Sequence, residues 1–337
     1  PVRRVVQVER EDWRAPKTGP TGWRRARCGG CASHRRRRWT MSLWRLVVLG
    51  TSAQRPSLFT ELASVALLTT PRPRNAPEHI DLSGGPAAEP SIWLVDAGDN
   101  TDNRLLAAPW CGPQGMQRLR GIFVTHMHGD HVYGLAQLLV TASRYGAVDP
   151  IHVVGPAGLY GYLDSALSIA PGIKMPVRVT ELHRGPRRRP PPFQPLRFMA
   201  TRTVTSNDGY RWLVPPCTDH FDVRAAHLAH SVPCVGYVFS TDDKKLVVLG
   251  DTYDSRAIEE CAQGCDLLVH EATFDQSTEA KAREATHSTA RMAGMFARRI
   301  GAKKLMLTHF SNRFTDQRGT IYNPFLKNLD RDPSKPQ

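Results

Sequence analysis

Thr125-His126-Met127-His128-Gly129-Asp130-His131 places three imidazoles and one carboxylate within six residues, between the apolar run 121–124 and a helical pattern that starts near Val132. A strand-to-helix turn draws these side chains into a small volume, and neither a core nor a surface needs such a concentration of imidazole. Nitrogen and carboxylate-oxygen donors so gathered point to a metal site.

Such a turn needs a framework, and the chain alternates strand-like and helical patterns from Met41 onward. Short β-rich runs occur at 43–49, 64–68, 92–95, 121–124 and 151–154, and again at 235–239, 246–249, 267–269 and 304–307. Helical spacing joins Val132, Leu135, Leu138 and Leu139 and closes at Gly146. It returns at Ala290, Ala293, Phe296 and Ile300, started by Ser288 or Thr289 and closed by Gly301. An α/β chain in two halves is expected. Residues 184–197, with five Arg and five Pro, can form neither helix nor central strand. They are expected to be an exposed loop, either a solvated insertion or a contact for a phosphate backbone through Arg187, Arg188 and Arg189.

The chain has 337 residues, 41% of them hydrophobic and 23% charged, enough to bury a core without disulfides. It has no apolar run long enough for a membrane span. The net charge of +14 is uneven: residues 1–40 carry eleven Arg and one Lys against three acidic residues and supply nine of those charges. A basic surface over the whole molecule is therefore not implied, and any basic patch has to be local. Residues 1–40 read as a disordered or artefactual leader, with Met41 as the expected natural start. They contain no apolar stretch of a signal peptide. Seven scattered cysteines fit a reducing compartment better than a disulfide framework, and Cys28 and Cys31 lack the second ligand pair of a zinc finger. An intracellular address, cytoplasmic or nuclear, is expected, or a mitochondrial one if residues 1–40 are a genuine presequence.

His-x-His-x-Asp-His after a strand resembles the metallo-β-lactamase superfamily of two-metal hydrolases. The resemblance implies an αββα sandwich with the metals at one edge. It assigns Asp96 to orienting the histidine loop, His230 to the third histidine position ahead of its rival His227, Asp251 to the bridging carboxylate and His309 to the last histidine. Two Zn²⁺ ions are then expected, with Mn²⁺ also suited to a set lacking thiolate. His126, His128 and His230 would hold one ion, Asp130, His131 and His309 the other, and Asp251 both. His34, His79, His152, His183 and His220 have no comparable context.

Within that superfamily the chain is similar to the ribonuclease Z (tRNase Z) family, which removes 3′ trailers from precursor tRNA. The similarity rests on Gly50-Thr51-Ser52-Ala53, Cys234-Val235-Gly236-Tyr237, Gly250-Asp251-Thr252, Val269-His270-Glu271-Ala272-Thr273-Phe274 and Thr286-His287-Ser288-Thr289, and it spans residues 41–314. It implies precursor tRNA as partner, a homodimer as an accessible assembly, and His287, held by Glu271, as the leaving-group proton donor; Asp130 belongs to the catalytic centre. Three departures accompany it. Pro56-Ser57-Leu58-Phe59-Thr60-Glu61 replaces the family's basic loop, Tyr237 and Asp251 are too close in sequence for the usual long arm, and residues 315–337 form a divergent polar tail. An arm-less hydrolase of small phosphodiesters, such as cyclic nucleotides, is the alternative activity, and an idle RNA-binding relative a third.

Overall fold

In a computed structural model the described residues are 43–50, 64–70, 89–170, 172–185, 196–218 and 220–311. The expectations for 1–40, for Cys28 and Cys31, for 56–61, for Arg187, Arg188 and Arg189, and for 315–337 lie outside them.

Strands β1 (Leu43–Gly50), β2 (Ser64–Thr70), β3 (Ser91–Val95), β4 (Leu119–Phe123), β5 (Ile151–Pro156), β6 (Val177–His183) and β7 (Met199–Thr205) form one sheet in sequence order. The second sheet runs β13-β12-β11-β10-β9-β8, from β8 (Arg211–Leu213), β9 (Asp222–Leu228), β10 (Cys234–Ser240), β11 (Lys245–Val248), β12 (Leu267–Glu271) and β13 (Leu305–Thr308). β3 to β7 are mutually parallel, as are β11 to β13.

The period-two alternation of strands sorts the core into three layers. Trp93, Val95 and Phe123 of the first sheet meet Val235, Tyr237, Phe239 and Val248 of the second, while Ile92, Leu94 and Ile122 face Leu135, Leu138 and Leu139 of the helix Leu135–Arg144. On the far side Val238, Val247 and Leu268 pack against Phe296 and Ile300 at the helix Ala290–Arg299. This is the expected αββα sandwich. Edge-to-face rings knit its centre, with Phe123 and Phe239 centroids 5.0 Å apart and Trp93 and Phe221 5.1 Å apart.

Four strands escape sequence pattern. β6, β7, β8 and β9 carry Arg, Thr, Glu or Asp among their apolar positions, which weakens the alternation. Glu181 of β6 is buried because its Oε1 accepts from the backbone N–H groups of Gly158 and Tyr160, at 2.9 and 3.0 Å, satisfying the start of the helix Leu159–Ser168. The helix expected from Val132 to Gly146 is in fact two, Gly129–Val132 and Leu135–Arg144. The break falls at Gly134, where a Cβ would sit 2.2 Å from the carbonyl oxygen of Gly98. Gly134 N donates to Ala97 O at 3.0 Å and Ala97 N to His131 O at 2.8 Å, so the loops after β3 and β4 are zipped together. The second helix matches the expectation: the Thr289 side chain accepts from Met292 N, and Gly301, at φ 62°, follows its end. β10 returns directly into β11 through a turn closed by Thr241 N donating to Lys244 O, so no arm separates Tyr237 from Asp251.

Candidate metal centre

The carboxyl ends of six strands converge at one edge of the sandwich. Asp96 follows β3, the histidine loop follows β4, His230 follows β9, Asp251 follows β11, Glu271 ends β12 and His309 follows β13. Asp96 and His309 adopt left-handed backbone, φ 61° and 58°, a conformation that costs a non-glycine residue energy and turns both side chains inward. Asp96 then accepts from Thr125 N at 2.7 Å, from Thr125 Oγ1 at 2.8 Å and from His131 Nδ1 at 2.8 Å. One carboxylate thus orients both ends of the histidine loop. From the second sheet, Gly250 lies against Thr125 so closely that a Cβ would approach its Cβ to 2.6 Å.

Donor atoms on a tetrahedral ion with bonds of about 2.0–2.1 Å lie roughly 3.3 Å apart. His126 Nε2 is 3.1 Å from His128 Nδ1, which is 3.3 Å from His230 Nε2. In a second group His131 Nε2 and Asp130 Oδ2 lie 3.2 and 3.3 Å from His309 Nε2. Between the groups, Asp251 Oδ2 is 3.3 Å from His309, 3.5 Å from His131 and 3.7 Å from His126. The seven residues expected as ligands are therefore brought together at the spacing of two adjoining coordination sets, and sets of three donors recur among them.

Hydrogen bonds on the outer nitrogens decide which imidazole atoms are free to coordinate. Thr125 Oγ1 donates to Asp96 and so accepts from His126 Nδ1, at 3.0 Å. His230 Nδ1 donates to Thr286 O at 2.9 Å, and His309 Nδ1 to Thr273 Oγ1 at 2.8 Å. With His131 Nδ1 held by Asp96, all four rings direct a bare Nε2 inward in their neutral form. Burial, reinforced by neighbouring imidazoles, holds His126 well below the ordinary histidine value, and burial lowers His128 and His230 too. His131 goes the other way: burial opposes its charge, but Asp251 and Asp96 raise it well above that value. Burial alone would push the Asp251 carboxyl up, yet His309, His131 and His126 hold it well below the carboxylate range. Unpaired, so many buried donors would be costly, and bound metal would satisfy them. The arrangement fits metal binding.

Behind these donors, His287 Nδ1 lies 2.9 Å from Glu271 Oε1, which also accepts from Thr252 N at 2.7 Å. Glu271 Oε2 accepts from Thr273 Oγ1 at 2.5 Å. Burial works against a charged His287, but the Glu271 hydrogen bond and charge, with Asp251 and Asp130, more than offset it and raise the ring above its ordinary value.

His227, the rival third histidine, instead packs edge-on to the Tyr210 ring. His183 pairs with Glu181, and His220 Nδ1 with Thr69 Oγ1. Thr125, Thr273 and Thr286, which set the tautomers, carry no signal of that role in their residue type. All three stand in sequence motifs, but only the fold reveals their partners.

A model of the β-lactamase superfamily domain matches residues 93–310. Ribonuclease BN of Erwinia tasmaniensis is 31% identical over 299 residues, which cover 80% of this chain and 90% of that protein. Ribonuclease Z of Brevibacillus brevis is 34% identical over 253 residues, 67% of this chain and 78% of its own. The crystal structure of human tRNase Z, short form, superposes with a TM-score of 0.63 at 28% identity, over 80% of this chain and 93% of that one. The chain belongs to the β-lactamase superfamily and, within it, to the ribonuclease Z/BN family of hydrolytic nucleases.

Proposed function

We propose that this protein is a zinc-dependent endoribonuclease that removes 3′ trailers from precursor tRNA. The observation that carries the reading is the shared position of Asp251 Oδ2, within 3.7 Å of donors from both groups, which suits a carboxylate bridging two cations. His126, His128 and His230 would hold one Zn²⁺, Asp130, His131 and His309 the other. Such a pair supplies Lewis acidity and an acidified water for attack on a phosphodiester.

The chain's own residues do the rest. Asp96, Thr125, Thr273 and Thr286 fix the ring orientations, so that the donors need no rearrangement on loading. His287, its Nδ1 proton held by Glu271, carries its second proton on Nε2 and delivers it to the leaving 3′-oxygen of ribose. The products are a 3′-hydroxyl on the tRNA and a 5′-phosphate on the trailer. Human tRNase Z and the bacterial ribonucleases Z and BN support the substrate class by likeness.

The direct β10–β11 turn favours a second reading, an arm-less enzyme acting on small phosphodiesters, because an arm is one means of gripping a large RNA. Both are tested by assaying precursor tRNA beside a chromogenic phosphodiester. Cleavage of the RNA at the 3′ end of the mature sequence supports the tRNA reading. Turnover of the small ester alone replaces it with the second.

A further inference from the structure

The histidine loop ends in an aromatic ring that the reaction chemistry does not use. Tyr133 is 69% exposed, more than any other aromatic ring among the described residues. It is not splayed into solvent at random: a Cβ built on Gly129 would lie 1.9 Å from Tyr133 Cζ and 2.4 Å from its hydroxyl oxygen. The phenol end therefore lies across Gly129, the residue between His128 and Asp130. A glycine at that position leaves room for the ring, and the Tyr133 N–H, donating to Gly129 O at 2.8 Å, ties the two together. The result is a flat apolar face beside the histidine loop, resting on Gly129 on one side and open on the other. An exposed aromatic face beside a site for a phosphodiester is suited to a nucleobase, since every base has a π-face to stack on it.

We propose that Tyr133 is a stacking platform for an unpaired nucleobase next to the phosphate under attack. The inference rests on the nuclease reading but not on the identity of the RNA. It makes recognition at this point dependent on a base and indifferent to which base. The ring, not the hydroxyl, does the binding.

The test is binding by fluorescence anisotropy of a phosphorothioate-linked single-stranded pentaadenylate and of its abasic counterpart to zinc-loaded protein. Wild type should prefer the base-bearing probe. Stacking on one aromatic ring is worth roughly 5- to 100-fold in affinity, so Tyr133→Ala should weaken the base-bearing probe by about tenfold and leave the abasic probe and the zinc content unchanged. Tyr133→Phe should bind as wild type, and Tyr133→Trp at least as tightly. Tyr145→Ala is the control: Tyr145 is 42% exposed but stands beyond the far end of the ten-residue helix Leu135–Arg144, about 15 Å long. The proposal is overturned if wild type shows no preference for bases, if Tyr133→Ala weakens both probes equally or neither, or if Tyr133→Phe and Tyr133→Trp behave like Tyr133→Ala. Base-dependent binding without cleavage of precursor tRNA would refute the tRNA reading and leave this one standing; cleavage with base-independent binding would do the reverse.

Discussion

A leaving group needs a proton donor in proportion to its basicity, so the role given to His287 can be isolated by changing the leaving group. His287→Ala should cost roughly 10²- to 10⁴-fold in RNA cleavage, while a nitrophenyl phosphodiester, whose phenolate departs unaided, keeps most of its rate and the protein keeps its zinc. Glu271→Gln should give a milder loss with the same pattern, because His287 stays but loses its charged partner. Equal loss on both substrates would make His287 structural. Thr273→Val keeps the volume but strips the hydroxyl that Glu271 and His309 share. Leaving those buried groups short of a partner should cost about 1–3 kcal/mol in denaturant unfolding and lower zinc affinity as well. The cluster His126, His128, Asp130 and His131 was legible from residue type and spacing alone, whereas His230, Asp251, His309 and the His287–Glu271 pair were expected only through the resemblance to the ribonuclease Z family. The threonines were legible by neither route. Threonine is common everywhere, and Thr286 meets His230 across a sequence separation of 56 positions.

The elements deliver these residues through two close backbone approaches. Gly250→Ala would force a methyl to within 2.6 Å of Thr125 Cβ and 2.7 Å of Cys234 Sγ. That contact should destabilise the fold by about 1–3 kcal/mol and loosen the histidine loop, so thermal unfolding and zinc titration should both report the change. A stable variant with unaltered zinc affinity would show that the Gly250 contact is dispensable. The strands with continuous apolar runs, β3, β4, β5, β10 and β11, were readable because both of their faces are buried between layers. β7 reads Met-Ala-Thr-Arg-Thr-Val-Thr, an edge strand with one partner and little apolar signal, and the buried Glu181 disguises β6. The split at Gly134 was hidden for another reason: its cause is the Gly98 carbonyl, which no helical periodicity can register.

At the scale of the whole molecule, substrate size must be matched by surface, and the direct β10–β11 turn leaves the arginine-rich segment as the candidate grip. Its leading edge is anchored, with Arg184 stacked 5.1 Å above the Tyr210 ring and donating to Gly209 O. Neutralising Arg187, Arg188 and Arg189 together should weaken precursor-tRNA binding and flatten its salt dependence by about 0.7–0.9 in slope per lost phosphate contact, without slowing a small phosphodiester. Equal effects on both would assign the segment to structure. No helix among the described residues is long and apolar enough to cross a membrane, and the five described cysteines are unpaired. Two cations joined by Asp251 at one edge of the sandwich are what the proposed function requires, and elemental analysis of the purified protein counts them. Close to two Zn²⁺ per chain in the wild type, with metal and hydrolysis lost together in Asp251→Ala, is the predicted result; one ion or none in the wild type, or full metal content after Asp251→Ala, would contradict it.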